Sequence, residues 1–236
     1  IRNDRLNDFY PDIQEEEFKA LHTLCKPYTM TSMERMYSLY TSVKYILSNN
    51  IEGDFVECGV WRGGSAMLMA KMLSSRGITD RKIYLYDTFE GMSQPTDHDL
   101  SVDGESANTT FINTSRGEGK SEWCMASLED VSDNMEKAAF PKTNLVYVKG
   151  KVEETLPAQK PEGKIALLRL DTDWYESTRH ELIVLYPMLV EKGVIVIDDY
   201  GHWQGCRKAV DEYFKENNIH LLLNRVDYTG RTGIKC

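Results

Sequence analysis

The chain has 236 residues, five cysteines and a formal net charge of -9, and this length fits one large domain or a domain with a small cap. The acidic balance argues against a nucleic-acid partner. No apolar run reaches the roughly 18 residues that a membrane helix needs, which argues against a membrane partner. Residues 1–8 do not resemble a signal peptide and the cysteines lack metal or redox spacing, so we expect a cytoplasmic protein with reduced thiols. The sequence lacks an initiator methionine, which indicates a start that is either trimmed or incomplete.

Two helices are predicted in residues 1–50. Asp12 with Glu15 is typical of the cap that begins the first helix. Thr31 with Glu34 marks the start of the second. Their apolar stripes carry methionines and tyrosines, which suit core contacts or contacts between copies better than substrate contacts. We therefore expect residues 1–50 to form a helical cap, and the protein to form a homo-oligomer.

From Asp54 the pattern changes to that of alternating strands and helices. A strand over Phe55–Val60, a glycine turn, a helix over Ser65–Leu73 and a strand over Ile83–Asp87 follow one another. This order is typical of the opening β-α-β unit of a nucleotide-binding fold.

The glycine turn reads Glu-Cys-Gly-Val-Trp-Arg-Gly-Gly-Ser over residues 57–65 and lacks the three-glycine fingerprint of dinucleotide dehydrogenases. Gly59 permits close backbone approach, so the turn either binds a ligand or only joins strand to helix tightly. Asp87 lies near the expected offset for an acid that accepts hydrogen bonds from ribose hydroxyls, although a turn cap is the alternative. Together these features favour ligand binding, with the loop from Gly150 to Glu153 on the adenine side.

Residues 91–124 are polar and rich in glycine, and they predict an insertion that serves as a mobile lid rather than a featureless loop. Ser127 with Asp130 begins the next helix. A helix over Ser177–Lys192 contains Pro187, which bends or divides it, and Gly193 is its natural stop. The other predicted elements are strands Leu145–Lys149, Ile165–Leu170 and Val194–Ile197, a helix Cys206–Glu216, and closing strands His220–Asn224 and Arg231–Lys235 joined by a turn at Asp227–Gly230.

These elements predict an α/β fold with a doubly wound, seven-stranded, mostly parallel sheet, an antiparallel edge strand and amino-terminal helices. Two of the strands end in acidic doublets, Asp171 with Asp173 and Asp198 with Asp199. One acid per strand end is explained by helix or turn capping, but two doublets on neighbouring strands exceed that need. Converging carboxylates repel one another unless a cation intervenes, and magnesium prefers oxygen ligands. The sequence therefore favours a metal-assisted active site at this edge of the sheet.

Four segments together carry a family resemblance: the glycine turn, Tyr-Asp-Thr-Phe-Glu-Gly-Met from residue 86, Leu-Asp-Thr-Asp-Trp-Tyr-Glu-Ser-Thr from residue 170, and Asp-Asp-Tyr-Gly from residue 198. From residue 51 to the carboxyl end the chain resembles the macrocin O-methyltransferase family. The resemblance implies a class I, Rossmann-like methyltransferase domain over residues 51–236. It also implies S-adenosylmethionine and Mg2+ as cofactors, and a sugar hydroxyl of a glycosylated antibiotic as the methyl acceptor.

The resemblance assigns a metal-ligand role to Asp171, Asp198 and Asp199, and the role of general base to Asp173. We expect His202 and Trp203 to contact the acceptor sugar, although His202 equally suits a solvated loop. Arg169 interrupts an apolar strand and is expected to pair with a buried acid. The residues expected to bind the cofactor are Glu57, Gly59, Trp61, Gly63, Ser65, Asp87, Gly150 and Val152.

Three other functions compete with this reading. A catechol-type O-methyltransferase shares the acids at the strand ends but acts on a planar diol. A non-catalytic S-adenosylmethionine-binding protein is disfavoured because a site without catalytic function has no need of clustered charges, which cost free energy to bury. A nicotinamide-dependent oxidoreductase is disfavoured because the dinucleotide fingerprint is absent.

Overall fold

The computed structural model describes residues 10–117 and 119–236. The strands are β1 (Asp54–Cys58), β2 (Ile83–Asp87), β3 (Ser115–Gly117), β4 (Lys120–Ser121), β5 (Leu145–Lys149), β6 (Ile165–Leu170), β7 (Leu189–Ile197), β8 (Asn224–Arg225) and β9 (Arg231–Ile234), of which β3 and β4 form a separate hairpin. The other seven form one sheet in the order β5-β2-β1-β6-β7-β9-β8, in which β9 runs antiparallel to both of its neighbours and the other pairs are parallel. The predicted fold class is confirmed.

Helices cover both faces of the sheet. They are α1 (Glu16–Cys25), α2 (Met33–Ser48), α3 (Gly64–Ser74), α4 (Ala107–Asn113), α5 (Leu128–Met135), α6 (Val152–Thr155), α7 (Tyr175–Leu185) and α8 (Gln204–Glu216). Adjacent residues of β1 point to opposite faces, as a strand requires: Phe55 joins the core with α1, α2, α3 and α5, and Val56 joins the core with α7 and α8. The parallel strands are therefore buried on both sides, and their carboxyl ends form one edge.

The starts of the first two helices differ from the prediction. Helix α1 has Glu15 as its N-cap residue, so the predicted cap at Asp12 is wrong. The Ile13 amide instead donates to the Tyr10 carbonyl in a turn that contains Pro11. At α2 the cap is one residue later than predicted, because the Ser32 hydroxyl accepts from the amide of Arg35. This shift leaves the Thr31 hydroxyl available for the site described below.

The predicted helix Ser177–Lys192 is wrong at both ends. Helix α7 runs over Tyr175–Leu185, and Pro187 lies in a 3-10 turn after it, because proline lacks the N–H and its ring clashes inside a helix. Gly193 consequently lies within β7 instead of stopping a helix, at a bulge between the pairs Ile165–Leu189 and Leu167–Val194.

The closing hairpin forms, but its first strand is shorter than predicted. Residues 220–223 lie outside the strand, and β8 covers Asn224–Arg225. Leu221 and Leu223 pack on the core beneath α8. The apolar run there reflects side-chain packing rather than sheet pairing. The predicted turn at Asp227–Gly230 joins β8 to β9.

The insertion, residues 91–124, is more regular than predicted and contains α4 and the β3–β4 hairpin. Its base is fixed by Asp99, which is fully buried. One Asp99 oxygen accepts from the amide of Tyr175 at 2.8 Å, and the other accepts from the amide of Thr96 at 2.7 Å. A β-bridge between Ser101 and Trp203 adds a second attachment. Mobility of the outer part stays a prediction. Within the described ranges, none of the helices is long and apolar enough to cross a membrane.

Candidate active site

A cavity of about 390 Å³ opens at the carboxyl edge of the sheet. Thirteen of the predicted site residues line it: Glu57, Gly59, Trp61, Ser65, Asp87, Gly150, Val152, Asp171, Asp173, Asp198, Asp199, His202 and Trp203. Gly63 does not line it and is instead the N-cap residue of α3, with a φ of 88° that glycine adopts readily. The sequence pattern therefore located the cavity.

The glycine turn is shaped by close contact with the end of β6. A Cβ added to Gly59 would lie 1.9 Å from the carbonyl oxygen of Asp171, and the φ of Gly59 is 82°. The Asp171 amide donates to the Cys58 carbonyl at 2.8 Å. Gly59 is thus required by the backbone that carries the first acidic doublet, whether or not a ligand is bound.

Asp87 holds the same turn from the end of β2. Its Oδ2 accepts from the amides of Val60 at 2.7 Å and Trp61 at 3.1 Å, and its Oδ1 accepts from the amide of Phe89 at 2.7 Å. Burial raises the pKa of Asp87, and these backbone donors oppose that rise. Asp87 therefore fixes the turn, as the alternative of a turn cap predicts, and it also lines the cavity, where the contact with ribose stays a prediction.

The link between α1 and α2 covers one end of the cavity, which the sequence analysis missed. A Cβ added to Gly64 would lie 2.6 Å from the Cβ of Thr29 and 2.7 Å from the carbonyl oxygen of Tyr28. Residues 28–31 and Arg35 line the cavity. Gly64, the second glycine of the pair, was the residue in the sequence that could have indicated this contact, because its lack of a side chain provides the space that the link occupies.

Three acids lie close enough together to hold one cation. Asp171, Asp198 and Asp199 each offer a carboxylate oxygen, and these oxygens lie within 4.8 Å of one another. The Asp199 Oδ2 atom is buried and has no hydrogen-bond partner among the described residues. Burial raises the pKa of Asp171 and of Asp199 well above the usual range. An oxygen donor set with an unsatisfied buried atom fits a hard divalent ion such as Mg2+.

Two arginines compensate part of this charge. Arg169 is 2% exposed, and its Nη1 donates to Glu57 at 2.7 Å and to Asp171 at 2.6 Å. Its Nη2 donates to Asp198 at 2.6 Å and to the hydroxyl of Thr31 at 3.1 Å. The expected pairing of Arg169 with a buried acid is confirmed.

The second arginine comes from the amino-terminal helices. Arg35 of α2 donates to the other oxygen of Asp198 through Nη1 and to Asp227 through Nε, the latter at 3.0 Å. The sequence analysis missed Arg35, because a helical residue 163 positions before Asp198 carries no local signal of the contact. Besides Glu57 and Asp87 the site contains five aspartates, Asp171, Asp173, Asp198, Asp199 and Asp227. The acids therefore outnumber the two guanidinium groups, and this balance favours a bound cation.

Asp173 lies beside the three acids in an unusual backbone conformation. Its φ is 69°, in the left-handed region that aspartate tolerates better than most residues. The Trp203 indole Nε1 donates to Asp173 Oδ1 at 2.7 Å. Burial raises the pKa of Asp173 to about 7, with Asp198 adding to the rise. A half-buried carboxylate with one fixed donor is suited to exchange a proton with a group in the cavity.

His202 lies at the cavity rim against an exposed tyrosine. The His202 and Tyr228 rings stand nearly perpendicular, at 88°, with centroids 5.9 Å apart. Burial lowers the pKa of His202. Tyr228 and Met30, which are 57% and 60% exposed, also line the cavity. These exposed side chains leave an aromatic and apolar surface beside the acids.

Residues 15–232 match the model of the macrocin-O-methyltransferase (TylF) family. The chain belongs to the macrocin O-methyltransferase family. It is 34% identical over 203 residues to the 8-demethyl-8-(2,3-dimethoxy-alpha-L-rhamnosyl)-tetracenomycin-C 4'-O-methyltransferase of Streptomyces olivaceus, which covers 86% of this chain and 74% of that protein. It is 32% identical, over the same shares, to the demethyldecarbamoylnovobiocin O-methyltransferase of Streptomyces niveus. This macrocin O-methyltransferase family member is thus an S-adenosylmethionine-dependent O-methyltransferase.

A solved structure of similar fold supports the assignment. The O-methyltransferase NovP superposes with a TM-score of 0.76 at 30% identity, covering 88% of this chain and 82% of NovP. The predicted membership of the macrocin O-methyltransferase family is confirmed.

Proposed function

We propose that the protein transfers a methyl group from S-adenosylmethionine to a sugar hydroxyl of a glycosylated natural product, assisted by Mg2+ and with Asp173 as general base. The observation that carries the proposal is the position of Asp173 beside three clustered carboxylates, in the same cavity as the glycine turn. The printed substrate of the Streptomyces olivaceus relative, a rhamnosyl compound, supports a glycosylated acceptor.

The glycine-turn end of the cavity suits the cofactor. Glu57 is buried, and its Oε2 has no hydrogen-bond partner within the described part of the chain. A buried acceptor of this kind matches the cationic methionine end of S-adenosylmethionine. Asp87 would accept from the ribose hydroxyls, and the loop at Gly150 and Val152, which lines the same cavity, would contact the adenine.

Asp171, Asp198 and Asp199 would hold Mg2+. When bound, the ion supplies Lewis-acid stabilisation of a developing alkoxide. Arg169 keeps two of these acids and Glu57 in fixed positions through its hydrogen bonds. The protein therefore offers the metal ion a set of oxygen donors that is already held in position.

Asp173 would take the proton of the acceptor hydroxyl. The hydroxyl oxygen forms the new bond to the methyl carbon, the bond from that carbon to sulfur breaks, and the sulfur keeps the electron pair. The products are a methyl ether and neutral S-adenosylhomocysteine, and Asp173 then releases its proton to solvent. Orientation by the cavity provides the in-line approach that such a transfer needs.

The rim formed by Met30, His202 and Tyr228 would receive the sugar. Aromatic side chains can pack against the C–H face of a sugar ring and bury its apolar area. The polar atoms of the acid cluster lie deeper in the same cavity. An acceptor whose sugar ring packs on the rim and presents a hydroxyl to the acids fits this arrangement.

The test is a methyl-transfer assay with a panel of acceptors. Demethyldecarbamoylnovobiocin, mycinamicin III and catechol are each incubated with the protein, S-adenosylmethionine and MgCl2, and products are identified by mass spectrometry. We expect methylation of a glycoside on its sugar, loss of product with EDTA and recovery with added Mg2+. Methylation of catechol alone would contradict the sugar acceptor, and undiminished turnover in EDTA would contradict the metal.

A further inference from the structure

Trp203 lies at the cavity rim, and its indole N–H makes a hydrogen bond to Asp173. Its indole Nε1 donates to Asp173 Oδ1 at 2.7 Å, and the residue is 8% exposed. A donor to a carboxylate at this distance is a charge-assisted hydrogen bond, stronger than a neutral one. The polar atom of Trp203 therefore contacts the general base rather than the open part of the cavity.

The backbone around Trp203 holds the indole in this position. The Trp203 amide donates to the Asp199 carbonyl at 3.0 Å, so the residue is tied to the end of β7. The preceding turn passes so close to Tyr228 that a Cβ on Gly201 would lie 1.9 Å from the Tyr228 carbonyl oxygen. The β-bridge to Ser101 ties the same residue to the insertion. The indole is thus anchored from both neighbouring segments.

Two further tryptophans pack against this indole. The rings of Trp123 and Trp174 lie 6.0 and 5.0 Å from that of Trp203, edge to face. The Trp174 indole donates to the Ser93 carbonyl at 3.0 Å. Edge-to-face packing of three indoles restricts the rotation of each ring. Trp203 consequently presents its N–H to Asp173 in one fixed direction.

We propose that Trp203 is a positioning residue, whose indole N–H fixes the orientation of the Asp173 carboxylate for proton removal from the acceptor. Asp173 has a left-handed backbone and lies three residues beyond the end of β6, so its own strand does not determine where the carboxylate points. The Trp203 bond is made to Oδ1, and in this proposal Oδ2 accepts the proton. The inference rests on the proposed role of Asp173 as base.

A role in acceptor binding is the competing explanation, and it makes a different kinetic prediction. Loss of an acceptor contact raises KM, whereas loss of a contact that orients the base lowers kcat with little change in KM. The substitution Trp203→Phe keeps the aromatic ring and removes the N–H. Trp123→Phe is the matched control, since it makes the same change in the same aromatic cluster at an indole that does not contact Asp173.

The kinetic test measures initial rates with demethyldecarbamoylnovobiocin, or with mycinamicin III if that is the glycoside methylated. We expect Trp203→Phe to lower kcat by roughly 10- to 100-fold, a part of what general-base catalysis contributes, with acceptor KM changed less than about 3-fold. Trp123→Phe should lower kcat less than Trp203→Phe does, because it loosens the packing around Trp203 but keeps the indole N–H that donates to Asp173. A rise in KM with kcat preserved, or equal effects of the two substitutions, would overturn the proposal.

An acceptor-independent measurement accompanies it. In protein labelled with 15N-tryptophan, we expect the Trp203 indole proton to resonate downfield of that of Trp123, and to move upfield in Asp173→Asn because the charged acceptor becomes neutral. A Trp203 signal unmoved by Asp173→Asn would contradict the hydrogen bond. If Asp173→Asn retained full methyl transfer, the base assignment would fail. If it were inactive while Trp203→Phe matched Trp123→Phe, only the positioning role would fail.

Discussion

Gly59 and Gly77 share a left-handed backbone but differ in what surrounds them. The φ angles are 82° and 68°, yet a Cβ on Gly59 would meet the Asp171 carbonyl at 1.9 Å, whereas none of the described atoms lies within 4 Å of one on Gly77. The space at Gly59 is what lets the glycine turn and the first acidic doublet approach each other. A substitution at Gly77 therefore has only the cost of the backbone conformation, whereas one at Gly59 also has the cost of close packing.

We expect Gly77→Ala to lower the free energy of unfolding by roughly 1 kcal/mol, the cost of a left-handed alanine. Gly59→Ala should lower it by roughly 3 kcal/mol or more, because overpacking against backbone adds to that cost. Denaturant-induced unfolding of both variants measures the difference. Equal losses at the two positions would show that Gly59 is not confined by Asp171.

A buried aspartate, Asp99, provides one of the attachments of the insertion. Asp99 accepts from the amide of Tyr175, which is the first residue of α7. The first amide of α7 therefore gains its acceptor from a residue 76 positions earlier in the chain, a separation at which no local capping rule applies. This attachment connects the insertion to the acids at the end of β6.

We expect Asp99→Ala to lower the free energy of unfolding by about 1–3 kcal/mol, since it leaves buried amides without their acceptor. Limited proteolysis should also cut the insertion faster, because its base is no longer fixed. Asp103→Ala is the control, an exposed aspartate of the same segment. Similar stability and cleavage rates for the two variants would argue that Asp99 does not anchor the insertion.

Helix α1 contains a buried histidine, His22, that makes stability depend on pH. Burial lowers the pKa of His22 below its ordinary value of 6.5. The unfolded chain therefore binds the proton more tightly, and the contribution of His22 is complete above about pH 6.5 and is lost as the pH falls below it. We expect His22→Gln to flatten the decrease in unfolding free energy between about pH 6.5 and 5. The same pH slope in both proteins would contradict the assignment.

For the whole molecule, the sequence predicted the sheet better than the contacts that complete the site. Strands such as Ile165–Leu170 are short apolar runs buried on both faces, and the acids that follow them mark where the strands end. Local patterns contain this information. Pro187 was predicted to bend or divide a helix, but not to lie beyond its end. That end depends on β7 starting two residues after the proline.

The remainder of the site comes from segments far apart in the chain. Arg35, the link at residues 28–31 and Tyr228 enter the cavity through tertiary packing, which no local spacing encodes. Helices α1 and α2 share a core with α3, and Arg35 reaches Asp198. The division into a cap over residues 1–50 and a domain over residues 51–236 stays a prediction, as do the homo-oligomer and the cytoplasmic location.

The central claim is that Asp173, among the acids at the carboxyl edge of the sheet, removes the proton of the acceptor hydroxyl. The most direct measurement is the single-turnover rate of methyl transfer by Asp173→Asn, with calorimetric titration of S-adenosylmethionine and Asp103→Asn as the exposed control. We expect the rate to fall by about 100-fold or more, as for loss of a general base, with cofactor affinity unchanged. An unchanged rate in Asp173→Asn would contradict the account.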